Sequence, residues 1–304
     1  MRTTSAPPSA VEFEAERPRL FGIAYRMLGS AAEAEDAVQD AYLRWHAADR
    51  SYIDAPGPWL AKVLTNLCLN RLTSARVRRE EYVGPWLPEP VRTDAGALGP
   101  LETAEQREAV SMAVLVLMER LSPPERAAVV LRDAFEYSHR EIAEVLDVSE
   151  AAARQTYRRA KQHLADGRAR FEAPVAPRTD LLATFLAAAA EGALDKLESL
   201  LAEDAVTWAD GGGKVRSATR PVTGRSNVAR FVIGLFTRFV EGVEIAFTEV
   251  NGDAAVLGWE NGRLIGAASV DIGPDGLVTG VRIIRNPDKL AFLENQSQDL
   301  SQNA

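Results

Sequence analysis

Three cations recur at helical spacing near the middle of the chain. Arg154, Arg158 and Lys161 fall at i, i+4 and i+7, with Gln155, Arg159 and Gln162 beside them. Arginine matches guanine edges, glutamine matches adenine edges, and both hold phosphates, so this row has the chemistry of a DNA contact. Ala153, Tyr157, Ala160 and Leu164 form an inward stripe on the same helix. Between Glu150 and Arg170 six Lys/Arg stand against two acids, a local charge of +4. A solvated cationic face is the bland alternative, and the preceding residues weigh against it. Ser122, Pro123 and Glu125 read as a capping box with proline at the first helical position, and Ser138 with Glu141 as a second box. Val129, Val130 and Leu131, then Ile142, Val145 and Leu146, supply apolar faces. Asp147 and Val148 make a tight turn, and Ser149 caps the last helix. Three short helices in this order place the last one in a major groove.

Upstream, residues 13–80 are helical by pattern. Ser30 and Glu33 read as a third capping box, followed by an inward stripe of Ala34, Val38, Ala41 and Trp45. Glu33, Asp36 and Asp40, with Gln39 beside them, face outward. An acidic stripe repels DNA, so it is either a solvated face or a docking surface for a basic partner. After the break Ala55-Pro56-Gly57-Pro58, Leu60, Val63, Leu64, Leu67 and Cys68 form a core stripe. Asn66, Asn70 and Thr73 line a polar face, and Arg71, Arg76, Arg78 and Arg79 load the helix end with charge. Cations there also suit the helix dipole. With Tyr52 and Trp59 nearby, the set matches what single-stranded DNA requires.

The elements that position these residues belong to a chain of 304 residues, enough for two or three domains, with a net charge of −8. Residues 1–172 hold 23 basic and 26 acidic side chains, residues 173–304 hold 12 and 17. Neither part is basic overall, so nonspecific affinity for DNA is weak and the basic patches are local, as suits a protein delivered to DNA by a larger partner. The single cysteine excludes an internal disulfide and fits a reducing cytoplasm. The first 30 residues lack the apolar core of a signal peptide, and no run is long and apolar enough to span a bilayer. The expectation is a soluble cytoplasmic protein.

From Arg178 the style changes. Thr179–Leu201 reads as one or two helices, Ala205–Ala209 as a short strand and Gly224–Phe239 as an amphipathic helix. Alternating strands follow, with hairpin signals at Asn251-Gly252, Asn261-Gly262 and Asp275-Gly276. Helices followed by a meander argue for an α+β domain with a curved antiparallel sheet. His46, His139 and His163 all lie upstream, so this domain offers only carboxylates for acid–base work; Asp210 and Asp271, with Trp208, are the candidates to line a pocket. No metal-ligand spacing and no Walker or dinucleotide motif occurs, and no cofactor is expected.

The segments AEAEDAVQDAYLRW, PWLAKVLTNLCLNRLTSARVRR and LSPPERAAVVLRDAFEYSHREIAEVLDVSEAAARQTYRRAKQHL, in this order, resemble bacterial RNA polymerase sigma factors of the extracytoplasmic-function group. The resemblance implies an all-α sigma-2 domain at 13–80, a linker at 81–106 and a helix–turn–helix sigma-4 domain at 107–170. It implies docking on core RNA polymerase through Asp36, Gln39 and Asp40. It places Asn66, Asn70, Arg71, Arg76, Arg78 and Arg79 at the promoter −10 element, and Arg154, Gln155, Arg158, Arg159 and Lys161 at the −35 element. The Pro/Gly-rich VGPWLPEPVRTDAGALGP would thread toward the RNA exit path between two separated domains. Residues 178–294 resemble the SnoaL/NTF2-like cone carried by sigma factors of the SigJ type, with 295–304 as a polar tail. Asp210-Gly211-Gly212-Gly213-Lys214 and Asn286-Pro287-Asp288-Lys289-Leu290 are associated in that subgroup with control of the sigma portion. By composition the first is a β-turn, and the second ends a strand and starts a helix. The expectation is an initiation factor, monomeric when free and not an enzyme, whose C-terminal domain regulates it in cis and is a possible seat for a small-molecule ligand. Two rivals are a ligand-responsive helix–turn–helix regulator acting without polymerase, and a SnoaL-like hydrolase or cyclase fused to a DNA-binding segment. The acidic Asp36–Asp40 stripe counts against the first, the missing histidines against the second.

Overall fold

A computed structural model of the chain describes residues 8–93, 98, 110–168, 179–239 and 242–302. It divides into two compact units, one drawn from Met1–Arg78, Gly96–Val110 and Leu117–Leu164, the other from Arg79–Ala95, Ser111–Val116 and Ala165–Ala304.

The first unit is helical. It holds α1 (Pro8–Leu28), α2 (Ala31–Ala47) and most of α3 (Pro56–Glu80), then α5 (Pro123–Val129), a π turn at Val130–Ala134, α6 (His139–Leu146) and most of α7 (Glu150–Arg168); α4 (Met112–Met118) is divided between the units. The helix starts follow the capping signals. Ser30 Oγ accepts the Glu33 N–H at 3.1 Å, and the Ser122 N–H donates to Glu125 at 3.0 Å. Ser138 and Glu141 bond reciprocally, satisfying donors that the first helical turn leaves over. Asp147 ends α6 at φ 54°, a left-handed position that aspartate tolerates, and Ser149 Oγ accepts the Ala152 N–H at 3.2 Å.

The two helical regions, expected as separate domains, pack together here. Arg126 is 3% exposed and donates to the Met27 carbonyl at 2.8 Å, the Met118 carbonyl at 2.5 Å and Glu119 at 2.9 Å. Arg26, also buried, donates to the carbonyls of Gly22 and Leu98 and stands over the Phe135 ring. Burial pulls these guanidinium groups down to about 10 for Arg26 and about 9 for Arg126, so both stay charged at neutral pH. At the surface, Lys62 of α3 meets Asp147 at 2.5 Å.

The second unit holds α8 (Thr179–Ala190), α9 (Leu194–Leu200), β1 (Leu201–Asp210), β2 (Val222–Thr223), α10 (Arg225–Phe239), β3 (Glu244–Val250), β4 (Asp253–Glu260), β5 (Arg263–Ile272), β6 (Val278–Ile284) and α11 (Pro287–Gln302). The sheet order is β2-β1-β6-β5-β4-β3. All three hairpin signals lie at turns, with positive φ at Asn251, Gly252, Asn261, Gly262 and Gly276. The expected antiparallel sheet holds everywhere except between β1 and β6, which run parallel. The hairpins fix the β3–β6 meander, whereas β1 joins β6 across intervening helix and sheet, where no turn dictates direction. Register shifts beside Gly258 and Asp271 mark bulges, which bend a sheet.

One sheet face packs on α8, α9 and α10 through Leu182, Phe185, Val228, Val232 and Val281. The other gathers Leu87, Met112, Leu257, Ile284, Leu290 and Leu293. α11 continues through 295–302, residues expected as a tail. Gln296 accepts the Arg92 N–H at 2.9 Å and Ser297 Oγ donates to the Leu293 carbonyl, so the last turns are anchored. Among the described residues no helix is long and apolar enough to cross a membrane.

Candidate nucleic-acid interface and strap seat

In α7 the buried Ala153, Ala160 and Leu164 turn the opposite face outward. Arg154, Gln155, Arg158, Arg159 and Gln162 are exposed along it. Arg154 pairs with Glu150 one turn back at 2.7 Å, and Arg159 approaches Glu125 at 3.8 Å. Lys161 differs from the expected row. Its ammonium meets Asp133 at 2.9 Å beside the Tyr157 hydroxyl, which donates to the same carboxylate. Helical spacing assigns a face but not the neighbour opposite, and here that neighbour is Asp133.

On α2, Asp36 and Gln39 are exposed and Asp40 is partly so. Arg71 of α3 donates to Asp40 at 2.6 Å and lies 3.9 Å from Asp36, so the structure brings one expected −10 residue onto the acidic stripe. Asn70 is exposed and Asn66 half-buried. The side chains of Arg76 and Arg78 lie outside the described residues. Cys68 is fully buried, and burial pushes its thiol up to about 12, leaving it an inert core group.

The second unit contains a constellation that joins both C-terminal motifs to residues 79–93, the end of α3 and the extended strap that follows it. Asp210 is 0% exposed. Its carboxylate accepts from the Tyr82 hydroxyl at 2.6 Å, the Leu87 N–H at 2.9 Å, the Gly212 N–H at 3.0 Å and the Lys289 ammonium at 2.7 Å. Lys289 also donates to the Leu87 carbonyl at 2.5 Å, and Asn286 Nδ2 donates to the Tyr82 oxygen at 2.8 Å. The Asp210 carbonyl accepts the N–H groups of Arg285 and Asn286. Lys214 pairs with Asp288. Pro287 opens α11, where Asn286 Oδ1 accepts the Asp288 N–H, and Leu290 is buried. Gly212 has φ +58°, and a Cβ there would stand 2.2 Å from Asn286 Nδ2, so only glycine fits.

Further along, the Val91 N–H donates to Asn251 Oδ1 at 3.1 Å and Thr93 Oγ1 to Glu249 at 2.6 Å. Arg79, expected at the −10 element, stacks on Trp86 at 3.9 Å. Burial, then Asp210, pushes the Tyr82 hydroxyl well above its ordinary value, and burial pulls Lys289 down to about 8. Sequence reading missed Tyr82, Leu87 and Val91. Their signal is Trp86-Leu87 within a Pro-rich polar stretch, where a solvated linker has no use for large apolar groups.

Neither Asp210, Asp271 nor Trp208 lines the apolar cavity of this unit. Asp271 instead pairs with the buried Arg282 at 2.6 Å, and that guanidinium stands over Trp208. Burial, reinforced by Asp271, pushes the Asp253 carboxyl up to about 8.

Residues 13–78 match Sigma-70 region 2 and residues 104–164 match Sigma-70, region 4, which together define the class. The ECF RNA polymerase sigma factor SigJ of Mycobacterium tuberculosis is 40% identical over 287 residues, 91% of this chain and 92% of that protein. SigI of the same species is 27% identical over 285 residues, 93% of this chain and 95% of that protein. The crystal structure of M. tuberculosis SigJ superposes with a TM-score of 0.73 at 35% identity, covering 93% of this chain and 98% of that one. The chain belongs to the extracytoplasmic-function RNA polymerase sigma factors, and within them to the SigJ type.

Proposed function

We propose that this chain binds core RNA polymerase and directs promoter-specific initiation of transcription, and that its second unit tunes that activity in cis. The observation that carries the reading is α7, whose buried stripe holds Arg154, Gln155, Arg158 and Arg159 outward in a helix–turn–helix. These four residues contact the −35 element, while Lys161, tied to Asp133, braces the helix and lends its charge. Asn66, Asn70, Arg71, Arg76, Arg78 and Arg79 serve the −10 element, with Arg71 leaving Asp40 and Arg79 leaving Trp86 to do so. Asp36, Gln39 and Asp40 dock on the polymerase. The factor works in the cytoplasm, where polymerase and promoters are, and the reading assigns it no catalytic step.

Asp210, Gly211, Gly212, Gly213 and Lys214 form one half of the regulatory seat, and Asn286, Pro287, Asp288, Lys289 and Leu290 the other. The strap between the two sigma regions is what they hold. Direct binding to purified core RNA polymerase, followed by anisotropy with Asp36→Arg beside the wild type, tests the reading. Tight binding lost in Asp36→Arg is expected. Binding equal in both removes the docking assignment, and binding by neither wild type nor a chain cut near Pro174 removes the sigma-factor reading.

A further inference from the structure

On α3, Arg71 falls at i+4 from Leu67 and i+3 from Cys68, both buried, so it leaves the edge of the core stripe with a side chain only 27% exposed. From there it reaches α2. Its Nη2 donates to Asp40 Oδ2 at 2.6 Å, and its Nη1 lies 3.9 Å from Asp36 Oδ2. The two carboxylates stand one helical turn apart on α2, a like-charge pair that destabilises a helix unless a cation offsets it. Arg71 is that cation, and it comes from the segment that carries Asn66 and Asn70.

A guanidinium makes the same charge-assisted bonds to carboxylate as to phosphate. Asp40, with Asp36 behind it, therefore takes on Arg71 the place of a phosphate of the −10 strand. We propose that Asp36 and Asp40 act as an internal DNA mimic: in the free chain they hold Arg71 away from single-stranded DNA, and they release it when a basic surface of the polymerase takes the two carboxylates. The proposal rests on the docking and −10 assignments given above and adds the competition between them. Because docking frees Arg71, polymerase binding and −10 strand binding strengthen each other, by the same factor in each direction. Exposure sets the size of the effect. Side chains 27%, 46% and 67% exposed at Arg71, Asp40 and Asp36 make an ion pair of the surface kind, whose loss changes an equilibrium by about two- to fivefold. In a chain of net charge −8, this lowers further an already weak affinity for DNA in the absence of polymerase.

The test is fluorescence anisotropy of the full chain with a labelled oligothymidylate of about 16 nucleotides, the upper site size of a single-strand-binding fold. Asp40→Asn should bind about two- to fivefold more tightly than wild type. The double variant with Arg71→Gln should bind more weakly than Asp40→Asn and equal Arg71→Gln alone, so the gain needs Arg71. A gain of the same size without Arg71 is general relief of negative charge and overturns the mimic. Asp40→Asn with a lower melting temperature and unchanged oligonucleotide affinity makes the ion pair a brace and also overturns it. A double variant that binds as tightly as Asp40→Asn removes the −10 assignment of Arg71 itself, and the proposal falls with that reading, so the two failures are told apart. Reciprocally, saturating oligothymidylate should raise the affinity of the wild-type chain for core RNA polymerase and leave that of Arg71→Gln unchanged. No rise in the wild type overturns the coupling, while polymerase binding as such still stands.

Discussion

Asp210 and Lys289 form an ion pair 2.7 Å long with side chains 0% and 8% exposed. Of the four donors around that carboxylate, two belong to the strap: the Tyr82 hydroxyl and the Leu87 N–H. The strap thus completes the solvation of a buried charge, and peeling it away leaves Asp210 half-satisfied. The strap is a part of the second unit's core chemistry as well as a connection between helical regions.

Removing Asp210 strands Lys289. Asp210→Ala should cost about 3–5 kcal/mol, the range for breaking a buried pair by deleting one partner, read as a lower urea midpoint. Tyr82→Phe removes a hydroxyl with two partners and should cost about 1–3 kcal/mol, with faster exchange at Leu87. A Tyr82→Phe variant indistinguishable from wild type by both readouts would show that the strap is not held at this point.

Truncation near Pro174 removes the seat and leaves Trp86, Leu87 and Val91 without their cover. Promoter-dependent transcription should change, because Arg79 loses the partner arrangement that keeps it on Trp86. Transcription identical to that of the full chain would end the claim of cis regulation.

Arg158 and Lys161 should separate cleanly. Arg158 has no ion-pair partner among the described residues, so Arg158→Ala should leave the melting temperature alone. It should weaken −35-dependent transcription by about 1–3 kcal/mol of lost discrimination, with polymerase binding intact. Lys161→Ala should lower the melting temperature by breaking the Asp133 contact, with a smaller effect on promoter choice. Equal effects of both on transcription would put Lys161 back in the recognition row.

The Asp253 carboxyl sets a pH dependence. Its folded value of about 8 lies above the unfolded value of about 4. Between these the folded chain holds a proton that the unfolded chain has released, so stability falls as pH rises across the window. Asp271, also pushed up by burial, adds in the same sense. Urea midpoints should decline from pH 5 to pH 8, and Asp253→Asn should flatten that decline. Parallel curves for variant and wild type would exclude Asp253 as its source.

What was legible in the sequence is local. The Ser138–Glu141 box acts across three residues, and Asn251-Gly252 closes a turn within four, so the chain spells these out where they occur. The α7 stripe was readable because Ala153, Ala160 and Leu164 repeat at the helical period. The Tyr82–Asp210 bond spans 128 positions, and no periodicity announces it. The parallel β1–β6 pairing, the turning of Lys161 to Asp133 and the anchoring of α11 by Arg92 were hidden for the same reason. Each depends on which surface arrives opposite, which spacing along one element does not state.

Asn251 carries two duties at once. Its backbone is left-handed at φ 54° to close the β3–β4 turn, while its own N–H donates to the Val91 carbonyl and its side chain accepts the Val91 N–H. Glycine takes the backbone shape but loses the side-chain bond. Glutamine keeps an amide but reaches too far and disfavours the turn. Aspartate keeps both geometry and acceptor but brings a charge to a site that is 0% exposed. The position admits almost no conservative drift, and a saturation library scored for folding should return asparagine there nearly alone.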